Sequence, residues 1–196
     1  MSLALSVLRD YAKDEVGTDL STLISDADWN RYINEGIFRM EYAVESSAAI
    51  TWDADDTNFD LPDDFQTADK IEVADGNQLP PGRFFGGKFY FTDPTGAFSS
   101  GSGTLFYYAD PTVLSADGDT SDLPRVGDGG VVSFAVYRAY KRIASSRAEY
   151  TRYSTVLQAN GVQMEDLASM SDQYYAEFLE AKDNLVLRSP VTYHDD

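Results

Sequence analysis

Pairs of carboxylates are the residues of this chain that could do chemistry. They lie in three short stretches: Asp53, Asp55 and Asp56; Asp63 and Asp64; and Asp117, Asp119 and Asp122. Two carboxyl groups at a fixed separation can hydrolyse a glycosidic bond. The chain holds 33 Asp and Glu residues, however, so neighbouring acids arise by chance, and runs of charge are usually solvated faces. A carbohydrate-active enzyme built on an acidic pair is therefore an alternative and not the main hypothesis.

The stretch "DGDTSD" at 117–122 offers oxygen atoms that could bind Ca²⁺. It lacks the full pattern of a calcium loop and the Glu that ends such a loop. An acidic turn explains the stretch more simply, and a Ca²⁺-dependent binding module is the second alternative.

Other catalytic chemistries lack their residues. His194 is the single histidine and the chain has no cysteine, so a histidine-based triad, a zinc–thiolate site and a disulfide have almost nothing to work with. Neither of the glycine-rich nucleotide motifs is present. We expect no catalytic residue, no metal site and no cofactor.

The charge of the chain restricts its partners. The formal net charge is −18 and the isoelectric point is about 4.2, which argues against a sequence-specific DNA-binding protein. An Asp-rich chain with Lys at only five positions fits either a soluble acidic surface or adaptation to high salt, where screening removes self-repulsion. No apolar run approaches the length of a membrane span, and the N-terminus does not resemble a signal peptide. We expect no contact with a membrane.

One basic cluster interrupts the acidic background. Arg138, Lys141 and Arg142 are followed by Arg147 and Arg152 on a predicted helix. The cluster could contact an acidic neighbouring subunit or a phosphate backbone. Pairing with this chain's own acids is the more ordinary interpretation.

Two aromatic runs, "KFYF" at 88–91 and "LFYY" at 105–108, place rings on both faces of predicted strands. Such a strand is either buried on both sides or meets a partner. Phe89, Phe91 and Tyr107 are accordingly candidate subunit-interface residues, with core packing as the other explanation.

Apolar periodicity predicts four helices, at about 3–16, 26–47, 129–159 and 164–184. Ser25 is the expected N-cap of the second helix. In the third, apolar positions recur at steps of four and three residues from Val132 to Leu157, which predicts one long packed helix. Residues 185–196 have no helical period, so we expect a C-terminal tail there.

The residue pattern changes between about 50 and 110, where runs of β-branched and aromatic residues alternate with Gly, Pro and Asp. This pattern predicts a small antiparallel sheet, followed by an extended connector over 110–128. The fold class is therefore α+β: a single domain with a bundle of about four helices and a β insertion between the second helix and the long third helix.

Three stretches in order resemble one family. "DADWNRYINEGIFRMEYA" looks like the second helix of the head-to-tail connector (adaptor or neck) proteins of tailed viruses. "FDLPDDFQTADKIEV" resembles the strand that follows it there, and "LFYYADPTVLSADGDTSDLP" resembles the strand and exit before that family's long helix. The resemblance covers nearly the whole chain.

The resemblance implies a structural virion protein without an active site. It implies a ring, typically of twelve copies, that lies below the portal, joins capsid to tail and extends the DNA channel. Partners would be the portal protein and the next neck or tail protein, and DNA would pass without specific binding; assembly would take place in the host cytoplasm. The tail at 185–196 would reach the portal through its apolar residues, which are Leu185, Val186, Leu187, Val191 and Tyr193. If the high-salt interpretation holds, the virus infects a halophile.

Overall fold

The computed structural model describes residues 2–17, 21, 24–53, 56–74, 82–92, 100–145, 147–159 and 163–186. In this part of the chain the helices are Leu5–Val16 (α1), Asp26–Arg39 (α2), Arg125–Ser145 (α3), Arg147–Ala159 (α4) and Met164–Val186 (α5). The strands are Val44–Trp52 (β1), Asn58–Asp60 (β2), Phe65–Val73 (β3), Gly82–Phe85 (β4), Lys88–Phe91 (β5) and Gly101–Ala109 (β6). The predicted α+β class is confirmed.

The chain divides into two compact units. The helical unit comprises Met1–Tyr42 and Pro111–Asp196, and the sheet unit is Ala43–Asp110. Each has its own cluster of buried apolar side chains. That the whole chain forms one domain stays a prediction.

The helical unit packs α3 against α1, α2 and α5. Ser25 is the N-cap of α2, as predicted, and its hydroxyl accepts a hydrogen bond from the Asp28 backbone N–H. The seam expected on the third helix is buried at most of its described positions, from Val132 to Leu157. Periodicity therefore located the core of this unit correctly.

Two predicted helix bounds were wrong. The second helix ends at Arg39 and not at 47, because Glu41 adopts a positive φ of 53° and the chain then enters β1. The predicted long helix starts earlier, at Arg125, and its range is divided between α3 and α4 on either side of residue 146, which lies outside the described residues. The described residues contain five helices and two three-stranded sheets, so the predicted bundle of about four helices with one small sheet was too simple.

The sheet unit contains two three-stranded antiparallel sheets, with strand orders β1-β6-β3 and β2-β5-β4. A two-residue turn joins β4 to β5, and both of its residues, Gly86 and Gly87, have positive φ. A turn of this kind suits the twist of a tight hairpin and favours glycine. The Leu61–Pro62 pair lies between β2 and β3: the Leu61 N–H donates to the Gly87 carbonyl, and the Pro62 carbonyl accepts from the Phe65 N–H at the start of β3.

Candidate assembly surfaces

Arg138 and Arg142 join α3 to α2. The Arg138 Nε lies 3.2 Å from Glu35 Oε2, and the Arg142 Nη1 lies 3.0 Å from Asp28 Oδ2. Arg142 also donates to the Tyr32 hydroxyl at 3.4 Å, and the Arg138 guanidinium lies 5.8 Å from the centre of the Tyr32 ring. Both arginines therefore have an acidic partner within their own chain, and their role in a subunit interface stays a prediction.

The electrostatics of this contact keep its charged groups ionised. Hydrogen bonds to Tyr32 and Asp28 raise the pKa of Arg142 above its ordinary value. Burial alone would raise the pKa of Asp28, but hydrogen bonds from Ser25 and Arg142 outweigh it, so that this pKa lies below its ordinary value. The Asp28–Arg142 ion pair therefore persists down to acidic pH.

Lys141 differs from the two arginines. It is exposed, its ammonium donates to the Tyr137 hydroxyl, and it lies 4.9 Å from the centre of the same ring. In the part of the chain that the structure describes, Lys141 has no carboxylate partner. Of the three predicted interface bases with described side chains, it is the one that remains available to a neighbour; the side chains of Arg147 and Arg152 lie outside the description.

The three aromatic candidates lie in the core of the sheet unit. Phe89, Phe91 and Tyr107 are 3%, 6% and 5% exposed. Phe89 stacks on Phe59 with ring centres 5.0 Å apart, and the Tyr107 hydroxyl donates to Asp64 at 3.0 Å. Burial raises the pKa of Tyr107. Core packing, the alternative explanation, accounts for these side chains.

An exposed aromatic pair lies at the edge of the same unit, where sequence reasoning did not place it. Phe84 and Phe85 on β4 are 40% and 73% exposed. The available signal was the pair "FF" directly before the Gly86–Gly87 turn, because adjacent residues of a strand point to opposite faces and only one of two neighbouring rings can face the core.

The predicted tail begins later than residue 185. Helix α5 continues to Val186, and Leu185 is 2% exposed in the core of the helical unit, beside Gly127. Leu185 thus packs against its own chain. The side chain of Val186 and all of Leu187, Val191 and Tyr193 lie outside the described residues.

The clustered carboxylates build turns where they are described. Asp119 accepts hydrogen bonds from the Ser115 and Ala116 backbone N–H groups, and these bonds hold its pKa below the usual range. Asp117 lies 2.9 Å from the Arg9 guanidinium. Asp122 accepts from the Thr112 N–H, and Asp56 from the Asp53 N–H. Among the described residues no three His, Cys, Asp or Glu side chains are placed to hold a metal ion.

Asp128 is a structural carboxylate that sequence reasoning missed. It is fully buried, and it accepts from the Leu3 backbone N–H at 3.1 Å and from the Ser121 hydroxyl. Burial raises the pKa of this carboxyl group. Asp128 ties the N-terminal segment and the end of the connector to the first turn of α3. In the sequence "VGDGG" it resembles another turn-forming acid, so no signal marked it.

The model of the SU10 adaptor protein family matches residues 3–190, and the chain belongs to this family. It is a head-to-tail adaptor of tailed viruses, a structural component of the virion, as the resemblance predicted. A search of curated proteins finds no match. None of the described helices combines the length and apolar character that crossing a bilayer requires.

Proposed function

We propose that this adaptor forms a ring of about twelve copies below the portal, where it joins capsid to tail and extends the DNA channel. The observation that carries the proposal is the family match over residues 3–190, which spans both units. Its partners are the portal protein on one side and the next neck or tail protein on the other.

The net charge of −18 is consistent with a channel component. Duplex DNA is densely negative, and a wall of the same sign lets it slide without sticking. Lys141, exposed and without a carboxylate partner among the described residues, is a candidate contact between neighbouring subunits. Phe89, Phe91 and Tyr107 contribute by holding the sheet unit together.

The C-terminal residues after α5 are the proposed portal contact, with Leu187, Val191 and Tyr193 as apolar anchors. Leu185 itself lies in the helical core and is not one of these anchors.

The decisive experiment is native mass spectrometry of the purified protein with and without its portal, at low and high salt. We expect a closed ring, or a ring that forms only on the portal. Removing residues 187–196 should abolish portal binding and leave the thermal unfolding temperature unchanged. A monomer that ignores the portal under all conditions would overturn the proposal.

The salt series also tests adaptation to high salt. If the acidic surface is such an adaptation, the free energy of unfolding rises steeply with salt, because screening removes self-repulsion. A stability that does not depend on salt would leave solubility as the reason for the acidic surface.

A further inference from the structure

Strand β4 forms one edge of the second sheet in the sheet unit. Among the described strands, β4 pairs only with β5, and all four of its residues are exposed. Proteins usually protect such edges with charge, Pro or a bulge, because an open edge is a template for another strand. Here one charged residue, Arg83, stands beside two exposed rings, those of Phe84 and Phe85.

A pocket lies beside this edge. It has a volume of about 470 Å³, and its apolar walls are Leu61, Pro62, Phe65 and Phe84. The rings of Phe65 and Phe84 stack with centres 5.6 Å apart. Polar groups, among them Asp63 and Gln66, line the rest of the pocket, and a cavity of this size can take a large side chain. Phe85, the most exposed large apolar side chain among the described residues, stands at its rim.

Two charged side chains near this edge have no partner of opposite charge among the described residues. The sheet unit has three bases: Lys70 lies beside Glu72 and Lys88 pairs with Asp60, whereas Arg83 has no carboxylate partner in the described part of the chain. Asp63 lines the pocket and likewise has no cation beside it among the described residues. Phe85 and Asp63 both line the pocket, and Arg83 lies two residues before Phe85 on β4.

One surface thus carries a projecting ring, a pocket for a ring, an unpaired base and an unpaired acid. We propose that this surface binds the same surface of a second copy: Phe85 of each copy enters the pocket of the other, and Arg83 of each pairs with Asp63 of the other. A patch that is complementary to itself forms a two-fold pair that closes at two copies. A ring requires two different faces, so this pair is a form of the free subunit in which the aromatic edge is covered before assembly.

The test is sedimentation velocity of the free protein over a range of concentrations, at moderate and high salt, because the net charge of −18 opposes pairing unless it is screened. We expect a dimer, and we expect Phe85→Ser to weaken it by at least about tenfold, as for a central anchor side chain. Val113→Ser is the matched control, since Val113 is 56% exposed in the helical unit and its replacement should leave the dimer unchanged.

A charge exchange tests the pairing directly. Arg83→Asp and Asp63→Arg should each weaken the dimer, and the double variant should restore it, because each copy then again offers one acid and one base. Circular dichroism checks that each variant is folded. A monomeric wild-type protein, or a dimer that neither Phe85→Ser nor the charge changes affect, would overturn the inference. Ring assembly of Phe85→Ser on the portal should be retained, so the two proposals can fail separately.

Discussion

The helical unit and the sheet unit satisfy their polar and apolar groups in different ways. In the helical unit, Arg138 and Arg142 pair with carboxylates on α2, and the fully buried Asp128 has hydrogen-bond donors for both of its oxygens. In the sheet unit the aromatic core is closed, but one edge keeps exposed rings and an unpaired base in its described part. The difference is that the described bases on α3 find most of their partners within the chain, whereas the β4 edge leaves rings and a base exposed; that this edge is a contact surface is the inference proposed above.

Phe89→Ala tests the core of the sheet unit and should have the largest effect. Phe89 is 3% exposed and touches the rings of Phe59, Phe84 and Phe91. We expect a loss of about 3–5 kcal/mol in the free energy of unfolding, measured by chemical denaturation. Hydrogen exchange should accelerate most in the strands.

Phe85→Ala is the control for Phe89→Ala, measured in dilute protein so that only the folding of a single copy counts. Phe85 is 73% exposed, so its removal should change the unfolding free energy by less than about 0.5 kcal/mol. If both substitutions lowered the unfolding free energy equally, Phe89 would not be more deeply packed than Phe85.

Asp128→Ala tests the buried carboxylate of the helical unit. The substitution leaves the Leu3 N–H and the Ser121 hydroxyl without their acceptor. A buried donor without a partner costs about 1–3 kcal/mol, so we expect a loss of that size in thermal or chemical unfolding. Asp128→Asn keeps an acceptor and the shape of the side chain, so it should cost less at neutral pH.

The pH dependence separates charge from shape at Asp128. Burial raises the pKa of the folded carboxyl group, so the folded state holds this proton more tightly than the unfolded state does. The stabilisation is complete below the ordinary Asp pKa and is lost as pH rises through the raised value. The wild type should therefore lose stability relative to Asp128→Asn over that window. A constant difference between the two proteins would show that the carboxyl group is not desolvated.

Gly130→Ala tests how closely the helices approach. A Cβ at Gly130 would lie 2.6 Å from the Cβ of Ala181 and 2.2 Å from the Cε of Met40, so α3 and α5 must separate. We expect a loss of about 1–3 kcal/mol. Gly129→Ala is the matched control: it meets nothing within 4 Å and should stabilise the helix by up to about 1 kcal/mol. Chemical denaturation of the pair measures both, and losses of the same size would contradict the close approach.

The sequence predicted the parts of the fold that depend on local spacing and missed those that depend on distant residues. The 3.6-residue period identified the buried side of α3 because a packed helix repeats its apolar positions, as from Val132 to Ile143. The end of α2 could not be located in this way, because Ala43 and Val44 continue the helical spacing although the chain turns at Glu41. The partners of Arg142 and Asp128 depend on residues distant in sequence, and only the folded chain brings them together.

A smaller effect is expected from Arg142→Met, which tests whether the basic cluster is internal structure. The side chains of Arg142 and Asp28 are 31% and 26% exposed, so their ion pair is only partly screened by solvent. We expect a loss of about 1 kcal/mol in chemical denaturation at neutral pH. The pKa of Asp28 is lowered in the folded state, so this contribution is present above the ordinary Asp pKa and disappears as pH falls through the lowered value.

Lys141→Met completes this comparison, because Lys141 is one residue away and has no carboxylate partner in the described chain. Its removal should change the unfolding free energy by no more than about 0.5 kcal/mol. If Arg142→Met left stability unchanged but prevented assembly, the arginine would belong to a subunit interface. If Lys141→Met alone prevented assembly, Lys141 would belong to the contact surface of α3 and the paired Arg142 would not.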